Sequence, residues 1–136
     1  MQMQTASKSA TVVPLQRKIS REARRQQLVA ATMRVLSRKG YAQTTLSDVA
    51  AEAGVSHGLV NFHFESKEKL LTATLLFMAD EYRANWTSAL EGAGPRPADR
   101  LAAMLAADFN PAICTPDRLA CWCSYWGEVQ SRPLYQ

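Results

Sequence analysis

The stretch that most constrains the fold covers residues 44–71, TTLSDVAAEAGVSHGLVNFHFESKEKLL. Thr45 followed three residues later by Asp48 is typical of a capping box, and apolar residues then recur at helical spacing. Gly54 can take the left-handed conformation that closes a helix, and Ser56 just beyond it can cap another. The connection between these two helices is therefore short, about three residues.

So short a connection makes the two helices cross steeply, which predicts a helix-turn-helix with its second helix in the DNA major groove. We expect this recognition helix over residues 57–63. Its apolar side chains must divide between the core and the groove. The positions expected to face outward are His57, Gly58, Asn61 and His63. A third helix is predicted at Lys67 after the cap Ser66, where free N–H groups and the ammonium favour a phosphate.

Residues 40–71 resemble the TetR/AcrR family of transcriptional regulators. The matching features are an aromatic after glycine, a Thr-Thr helix start, the D-x-A-x-x-A-G-V-S turn, an aromatic-His-Phe string and a Ser-Lys helix start. The resemblance implies an all-α fold, in which a three-helix DNA-binding head leads into the first helices of an all-helical regulatory domain. It also implies a homodimer that binds a double-stranded operator and responds to a small-molecule effector.

The motif and the resemblance together assign positions to the DNA interface. Threonines at the start of the helix-turn-helix, Lys67 and arginines of the first helix are expected on phosphates, and the recognition helix on base edges. The full expected set is Arg25, Thr44, Thr45, Ser56, His57, Gly58, Leu59, Asn61, Phe62, His63 and Lys67. Asn61 stands where the family often has a tyrosine, and its amide suits either a phosphate or an adenine.

Charge is distributed unevenly along the 136 residues. Residues 1–69 carry eleven Lys and Arg against five Asp and Glu, whereas residues 70–136 carry five against seven. Because cations neutralise phosphates, this asymmetry favours a nucleic-acid partner. No apolar run approaches the ~20 residues of a membrane span, and the N-terminus lacks an apolar signal region, so we predict a cytoplasmic protein without membrane contact.

The same pass along the chain predicts three parts. Residues 1–19 form a flexible basic tail, residues 20–69 the helix-turn-helix head, and residues 70–136 part of a helical ligand-binding and dimerisation domain. In the tail, Arg17 and Lys18 are either minor-groove contacts or solvated charges.

The helices outside the motif are predicted from caps and apolar spacing. The first begins after Ser20 and ends near Gly40, and its arginines outnumber its carboxylates, so some are expected to face phosphate. A long amphipathic helix follows Lys67, another follows Pro97, and the sixth covers residues 117–130 after the cap Thr115. The chain is shorter than typical members of the family, which predicts a fragment or a truncated product and leaves its dimerisation open.

Three cysteines invite a metal or redox interpretation. Cys121 and Cys123 would point about 200° apart on one helix, so they cannot share a zinc ion without unwinding it. Buried structural thiols are the favoured alternative for these two and Cys114. With no glycine-rich phosphate loop, nucleophile elbow or paired carboxylates, we predict neither an enzyme nor a bound cofactor or metal.

Trp122, Tyr125 and Trp126 fall within about 100° of one another around the sixth helix. Aromatic faces attract quaternary ammonium groups, and the segment from residue 109 onward resembles the subgroup of the choline-responsive repressor of glycine betaine synthesis genes. We therefore predict a choline-like effector on these three rings. The alternative is that the rings are simply part of a hydrophobic core.

Two functional classes remain open at this stage. One is a ligand-responsive repressor. The other is a small helical adaptor whose helix-turn-helix packs on protein, or a truncated regulator unable to dimerise.

Overall fold

A computed structural model of the chain describes residues 19–135, and within that range all regular structure is helical. Residues 1–18, which include the predicted tail contacts Arg17 and Lys18, lie outside the described part. The elements are α1 (Arg21–Gln43), α2 (Leu46–Ala53), α3 (His57–Phe64), α4 (Lys67–Glu91), α5 (Pro97–Asp108), α6 (Pro116–Trp126) and a 3-10 turn (Pro133–Tyr135). The predicted all-α fold class is confirmed.

Five helices start where a hydroxyl side chain accepts a backbone N–H, as the sequence predicted. The bonds run to Ser20 from Ala23, to Thr45 from Asp48, to Ser56 from Leu59, to Ser66 from Lys69 and to Thr115 from Arg118, at 3.1–3.2 Å. Each satisfies one of the N–H groups that a helix start leaves unpaired. At Thr45 the Asp48 carboxylate also accepts the Thr45 N–H, which completes the capping box.

Two glycines set the path of the chain through the motif. Gly54 has φ +66° and closes α2, and its N–H donates to the Ala51 carbonyl at 3.2 Å. Gly40 has φ +74° and interrupts α1, so the predicted helix end is correct although a further short turn, residues 41–43, follows the break. Both values lie where L-residues are disfavoured and glycine is not.

One apolar cluster holds the head together, and α1 packs across both helices of the motif. Its buried members are Leu28, Val29, Ala31, Val35, Val49, Ala50, Val60, Phe64 and Leu70. Each large side chain fully removed from water contributes roughly 1.5–3 kcal/mol. These contacts, with the two short turns, fix the angle at which α3 is presented.

Cations of α1 contribute to the same packing. Arg34 and Arg38 both pair with Glu52 of α2 at 2.6 Å, and Lys39 pairs with Asp48 at 2.7 Å. Arg34 and Arg38 therefore already have a carboxylate partner, and the expectation that some arginines of the first helix face phosphate stays a prediction. Their partner comes from the next helix, which a count of charges along α1 alone does not reveal.

A second apolar cluster joins α6 to α1 and α4. Its buried members are Met33, Leu36, Tyr41, Leu71, Met78, Cys121 and Tyr125. Tyr41, Tyr125 and Tyr135 meet edge to face with ring centroids 5.6–6.0 Å apart, and we call this group the tyrosine junction. Such edge-to-face pairs add to the stabilisation from burial. The junction fastens α6 directly to the head.

The second half differs from prediction in two places. The sixth helix ends at Trp126 rather than near residue 130, because Gly127 accepts the cap position and a series of turns follows. The spacing of Leu101, Met104 and Leu105 predicts an apolar face on α5, but this face is exposed and only Ala107 of the helix is buried. Among residues 19–135, no helix is both long and apolar enough to cross a membrane.

Candidate nucleic-acid interface and aromatic cleft

The outer face of α3 is the candidate reading surface. His57, Gly58, Asn61 and Phe62 are exposed, while Val60 is fully buried and Leu59 is half-buried. Phe62 is 68% exposed, so this ring projects from the surface instead of joining the core. Among the apolar residues of α3 whose environment the sequence left open, Val60 packs into the core, Leu59 is half-buried and Phe62 faces outward.

His63 does not face outward as the sequence analysis expected. It lies about 60° from Val60 around the helix, on the side that packs against α1, and only 9% of its surface is exposed. Burial, followed by the nearby charges of Arg21 and Arg25, lowers the pKa of the imidazole below its usual value. Its Nδ1 is buried without a hydrogen-bond partner. His63 is thus a neutral packing residue in the free protein.

The two adjacent threonines at the start of the motif have different environments. Thr44 is 1% exposed, and its hydroxyl donates to the Gly40 carbonyl at 2.7 Å, so its predicted contact with a phosphate is not available to the side chain. Thr45 is exposed, and its hydroxyl donates to the Asp48 carboxylate at 2.8 Å while capping α2. Thr45 therefore lies at the surface, as expected, and Thr44 closes the turn after Gly40.

Two predicted cations sit at the edges of α3. The Arg25 guanidinium donates to the His63 carbonyl at 2.6 Å and lies 4.3 Å from the centroid of the Phe64 ring. The Lys67 ammonium donates to the Ala42 carbonyl at 3.1 Å, beside the N-terminus of α4. Both side chains are half-buried, so each has donors directed into the protein and surface left toward solvent. Arg25 thus links the C-terminal end of α3 to α1, and Lys67 links the start of α4 to the end of α1.

A cleft with aromatic walls opens between α4, α5 and α6. Trp122 stands 6.4 Å from Trp126 and 6.5 Å from Tyr82, measured between ring centroids. The cavity has a volume of about 430 Å³. Its lining residues are Tyr82, Asp108, Ile113, Cys114, Leu119, Trp122, Cys123 and Trp126.

Tyr125 does not belong to this cleft, and its predicted grouping with the two tryptophans is wrong. It is 1% exposed and its hydroxyl donates to the Leu71 carbonyl at 2.6 Å, on the side of α6 that packs against α1 and α4. Burial raises the pKa of this phenol well above its usual range. An arc of about 100° is wide enough for one helix to point one ring into the core and two into a cleft.

The cysteines also separate by face. Cys121 is buried, its thiol donates to the Met33 carbonyl at 3.2 Å, and burial raises its pKa to about 11. Cys123 is exposed and Cys114 half-buried, and both line the cleft, so the expectation of buried thiols holds for Cys121 and fails for Cys123. In the part of the chain that the structure describes, no three His, Cys, Asp or Glu residues are grouped to hold a metal ion.

Sequence reasoning missed two members of the cleft, Tyr82 and Asp108. In the sequence, Tyr82 falls on the apolar stripe of the long helix, and Asp108 is the last residue of the helix that follows Pro97. The Tyr82 hydroxyl donates to the Asp108 carboxylate at 2.8 Å across 26 residues. No local pattern signals this pair, because the contact depends on how α4 and α5 cross.

Comparison with known proteins agrees with the architecture of the head. The family model described as "Bacterial regulatory proteins, tetR family" matches residues 28–74, from the middle of α1 into α4. Residues 28–74 are therefore a domain of this family. A curated relative, the HTH-type transcriptional regulator BetI of Burkholderia mallei (strain NCTC 10229), is 34% identical over 113 residues, which are 83% of this chain and 58% of the relative. This similarity supports the subgroup predicted from the sequence.

Solved structures of transcriptional regulators have a similar helical architecture. A protein described as a transcriptional regulator from Pseudomonas aeruginosa PAO1 superposes with a TM-score of 0.78 at 30% identity, covering 87% of this chain and 57% of that one. The multidrug binding protein EbrR, complexed with imidazole, superposes with a TM-score of 0.64 at 26% identity, covering 83% and 59%. The chain thus spans a little over half the length of the proteins that it matches.

Proposed function

We propose that this protein is a ligand-responsive transcriptional repressor that binds operator DNA through α3. The observation that carries the proposal is the outer face of α3, where His57, Gly58 and Asn61 are exposed on a helix held rigidly by the core of the head. Polar side chains in the major groove read base edges, and a glycine lets the backbone approach closely. A regulator of this kind acts on the chromosome, which places it in the cytoplasm, and it needs no catalytic group.

The contacts divide into two classes. Thr45, Lys67 and the capped start of α4 are proposed to hold phosphates, and the exposed residues of α3 to meet the bases. Arg25 keeps a place among the phosphate contacts through the donors that it does not use on the His63 carbonyl. Ser56 and Leu59 border the reading surface, while Thr44 and His63 support it from inside.

Gel-shift titrations over palindromic operators at several salt concentrations test this division. Replacing Lys67 by Ala should weaken binding to all sequences similarly and reduce the salt slope by about one. Replacing Asn61 or His57 by Ala should instead change which operator is preferred, by about 1–3 kcal/mol at the affected base pair. The same uniform loss from both kinds of variant would contradict the assignment.

A homodimer is part of the proposal, since two copies of α3 would occupy successive major grooves about one helical turn apart. Sedimentation equilibrium of the chain with and without a palindromic operator would measure this directly. Binding of one copy to a half-site with no cooperativity would indicate that this chain acts as a monomer.

One observation favours the alternative of a protein adaptor, namely the exposed ring of Phe62 on α3. Large apolar side chains at the surface often belong to protein interfaces. Replacing Phe62 by Ser helps to distinguish the two functions. An operator-binding protein should retain most of its DNA affinity, because the substitution leaves the proposed phosphate contacts in place. An adaptor would show no sequence preference and little DNA affinity at physiological salt.

The proposed effector is a choline-like quaternary ammonium compound bound in the aromatic cleft, where its presence weakens operator binding. Trp122, Trp126 and Tyr82 offer ring faces, each favourable contact contributing ~0.5–2 kcal/mol to a desolvated cation. Titration of tryptophan fluorescence with choline and with its neutral tert-butyl isostere, 3,3-dimethylbutan-1-ol, tests the proposal. Equal responses to both, or no response to either, would leave the cleft as ordinary apolar surface.

A further inference from the structure

Asp108 is the acidic residue that lines the aromatic cleft, and within residues 19–135 it has no cation as an ion-pair partner. It ends α5 and borders the cavity together with Tyr82 and Trp122. Ion pairs between described residues involve other carboxylates, and none includes Asp108. Glu81 illustrates the contrast, because it directly precedes Tyr82, does not line the cleft and is paired with Arg118 at 2.8 Å.

The carboxylate is also held in position. The Tyr82 hydroxyl donates to Asp108 Oδ1 at 2.8 Å, and the Tyr82 ring meets Trp122 edge to face. The hydrogen bond to Asp108 is the main cause that raises the pKa of Tyr82, so the phenol remains a protonated donor at neutral pH. With one oxygen fixed by the phenol, the other oxygen and the negative charge remain for the cleft.

We propose that Asp108 is the residue that makes the cleft select positively charged ligands. The inference rests on the proposed function, since it names the determinant of charge preference at the proposed effector site. Aromatic faces already favour a trimethylammonium group over a neutral tert-butyl group, and a fixed carboxylate within a few ångströms adds a further attraction for the cation alone. The apolar and aromatic walls position the ligand head, and Asp108 strengthens the preference for a positive charge.

A purely structural role is the competing explanation, because the Tyr82–Asp108 bond links α4 to the end of α5. The variant Asp108→Asn separates the two roles. An asparagine keeps a carbonyl oxygen that can accept from Tyr82 and removes only the charge. Asp108→Glu keeps the charge, and Asp80→Asn removes an exposed carboxylate that does not line the cleft.

Isothermal titration calorimetry of the four proteins with choline and with 3,3-dimethylbutan-1-ol, at low and at physiological salt, tests the inference. Asp108→Asn should weaken choline binding by about 3- to 10-fold at low salt and leave binding of the neutral isostere within twofold. The loss should shrink as salt rises. Asp108→Glu should recover most of the preference for choline, and Asp80→Asn should bind both ligands as the unmodified chain does.

Two results overturn the inference while the effector cleft itself survives. One is an unchanged choline affinity in Asp108→Asn, and the other is an equal loss for both ligands, which marks Asp108 as structural only. If the unmodified chain binds neither ligand, the proposed effector site fails, and the role of Asp108 fails with it. Melting curves by circular dichroism for each variant establish that the titrated proteins are folded.

Discussion

The head and the region formed by α5 and α6 are both built from helices with apolar residues at helical spacing, yet the two regions bury these residues to different extents. In the head, α3 buries Val60 and Phe64 completely or nearly so. In α5, Leu101 and Leu105 are more than half exposed, although their spacing is as regular as that of the head residues. Helical spacing therefore indicates that a face is apolar, and only the neighbouring elements determine whether that face is covered.

The two regions differ in the same way in their charges. Carboxylates of α2 pair with cations of α1, so Glu52 and Asp48 help to align two helices of the head. Asp108, at the edge of the cleft, has a phenol as its donor and no cation. A carboxylate that is paired with a cation contributes to the fold. A carboxylate that lies next to aromatic rings and has no cation partner is available to a ligand.

The largest expected effect compares one leucine from each region. Leu28→Ala removes a side chain with no exposed surface from the core of the head, and should lower the free energy of unfolding by about 2–5 kcal/mol. Leu101→Ala, on the exposed face of α5, should change it by less than about 0.5 kcal/mol. Urea denaturation followed by circular dichroism measures both. A comparable loss from Leu101→Ala would show that the α5 face is covered in solution.

The second-largest effect is expected from backbone conformation at the ends of α2 and α3. Gly54 has φ +66° with open space where a Cβ would lie, so Gly54→Ala should lower the free energy of unfolding by about 1–2 kcal/mol through backbone conformation alone. Glu65 has φ +64° at the end of α3, and Glu65→Gly should have the opposite sign. Thermal unfolding of the two variants checks the pair. Effects of the same sign would mean that the strain is not located at these residues.

A third comparison concerns hydroxyl groups at the tyrosine junction and at the cleft. Tyr125→Phe removes a buried hydroxyl that donates to the Leu71 carbonyl, and should lower the free energy of unfolding by about 1 kcal/mol. Tyr82→Phe removes an exposed hydroxyl that donates to the Asp108 carboxylate. Because water can replace this hydrogen bond, the free energy of unfolding should fall by less than in Tyr125→Phe. If Tyr82→Phe proves the more destabilising, then the link between α4 and α5 supports the fold more than the junction does.

How much the sequence predicts depends on whether a feature is local. The starts of the helices at Thr45, Ser56 and Ser66 were correctly predicted, because a cap and its N–H lie three residues apart. The left-handed conformation of Gly54 was also predicted from a local signal, because a glycine readily adopts this conformation at the end of a helix. By contrast, Glu65 adopts positive φ without being a glycine, and nothing in its neighbourhood in the sequence signals it.

The candidate sites were only partly predictable, because burial is decided by packing between distant segments. Thr44 and Thr45 look equivalent in sequence, and only the turn after Gly40 directs one of them inward. Tyr125 lies close to Trp122 on the helix but faces α1, since α6 packs between the head and the cleft. These residues show that a helical wheel gives relative directions, and tertiary contacts give the environment of each direction.

The smallest expected effect is a pH dependence from His63, which lies between α3 and α1 with its imidazole pKa lowered by burial and by Arg21, Arg25 and Arg24. In the unfolded chain this histidine takes up a proton near pH 6.5, whereas in the folded chain it does so only at lower pH. Because the unfolded state then binds more protons, stability should fall as pH decreases from 7.5 to 5.5, with a slope below one proton.

Urea midpoints of the unmodified chain and of His63→Gln across this pH range measure that contribution. The midpoint should depend less on pH in the variant. His57→Gln is the matched control for replacing a histidine of α3 by glutamine, since His57 is exposed on the outer face of the helix. A profile for His63→Gln as steep as that of the unmodified chain would contradict this prediction, because the loss of stability at low pH would then come from groups other than the buried imidazole.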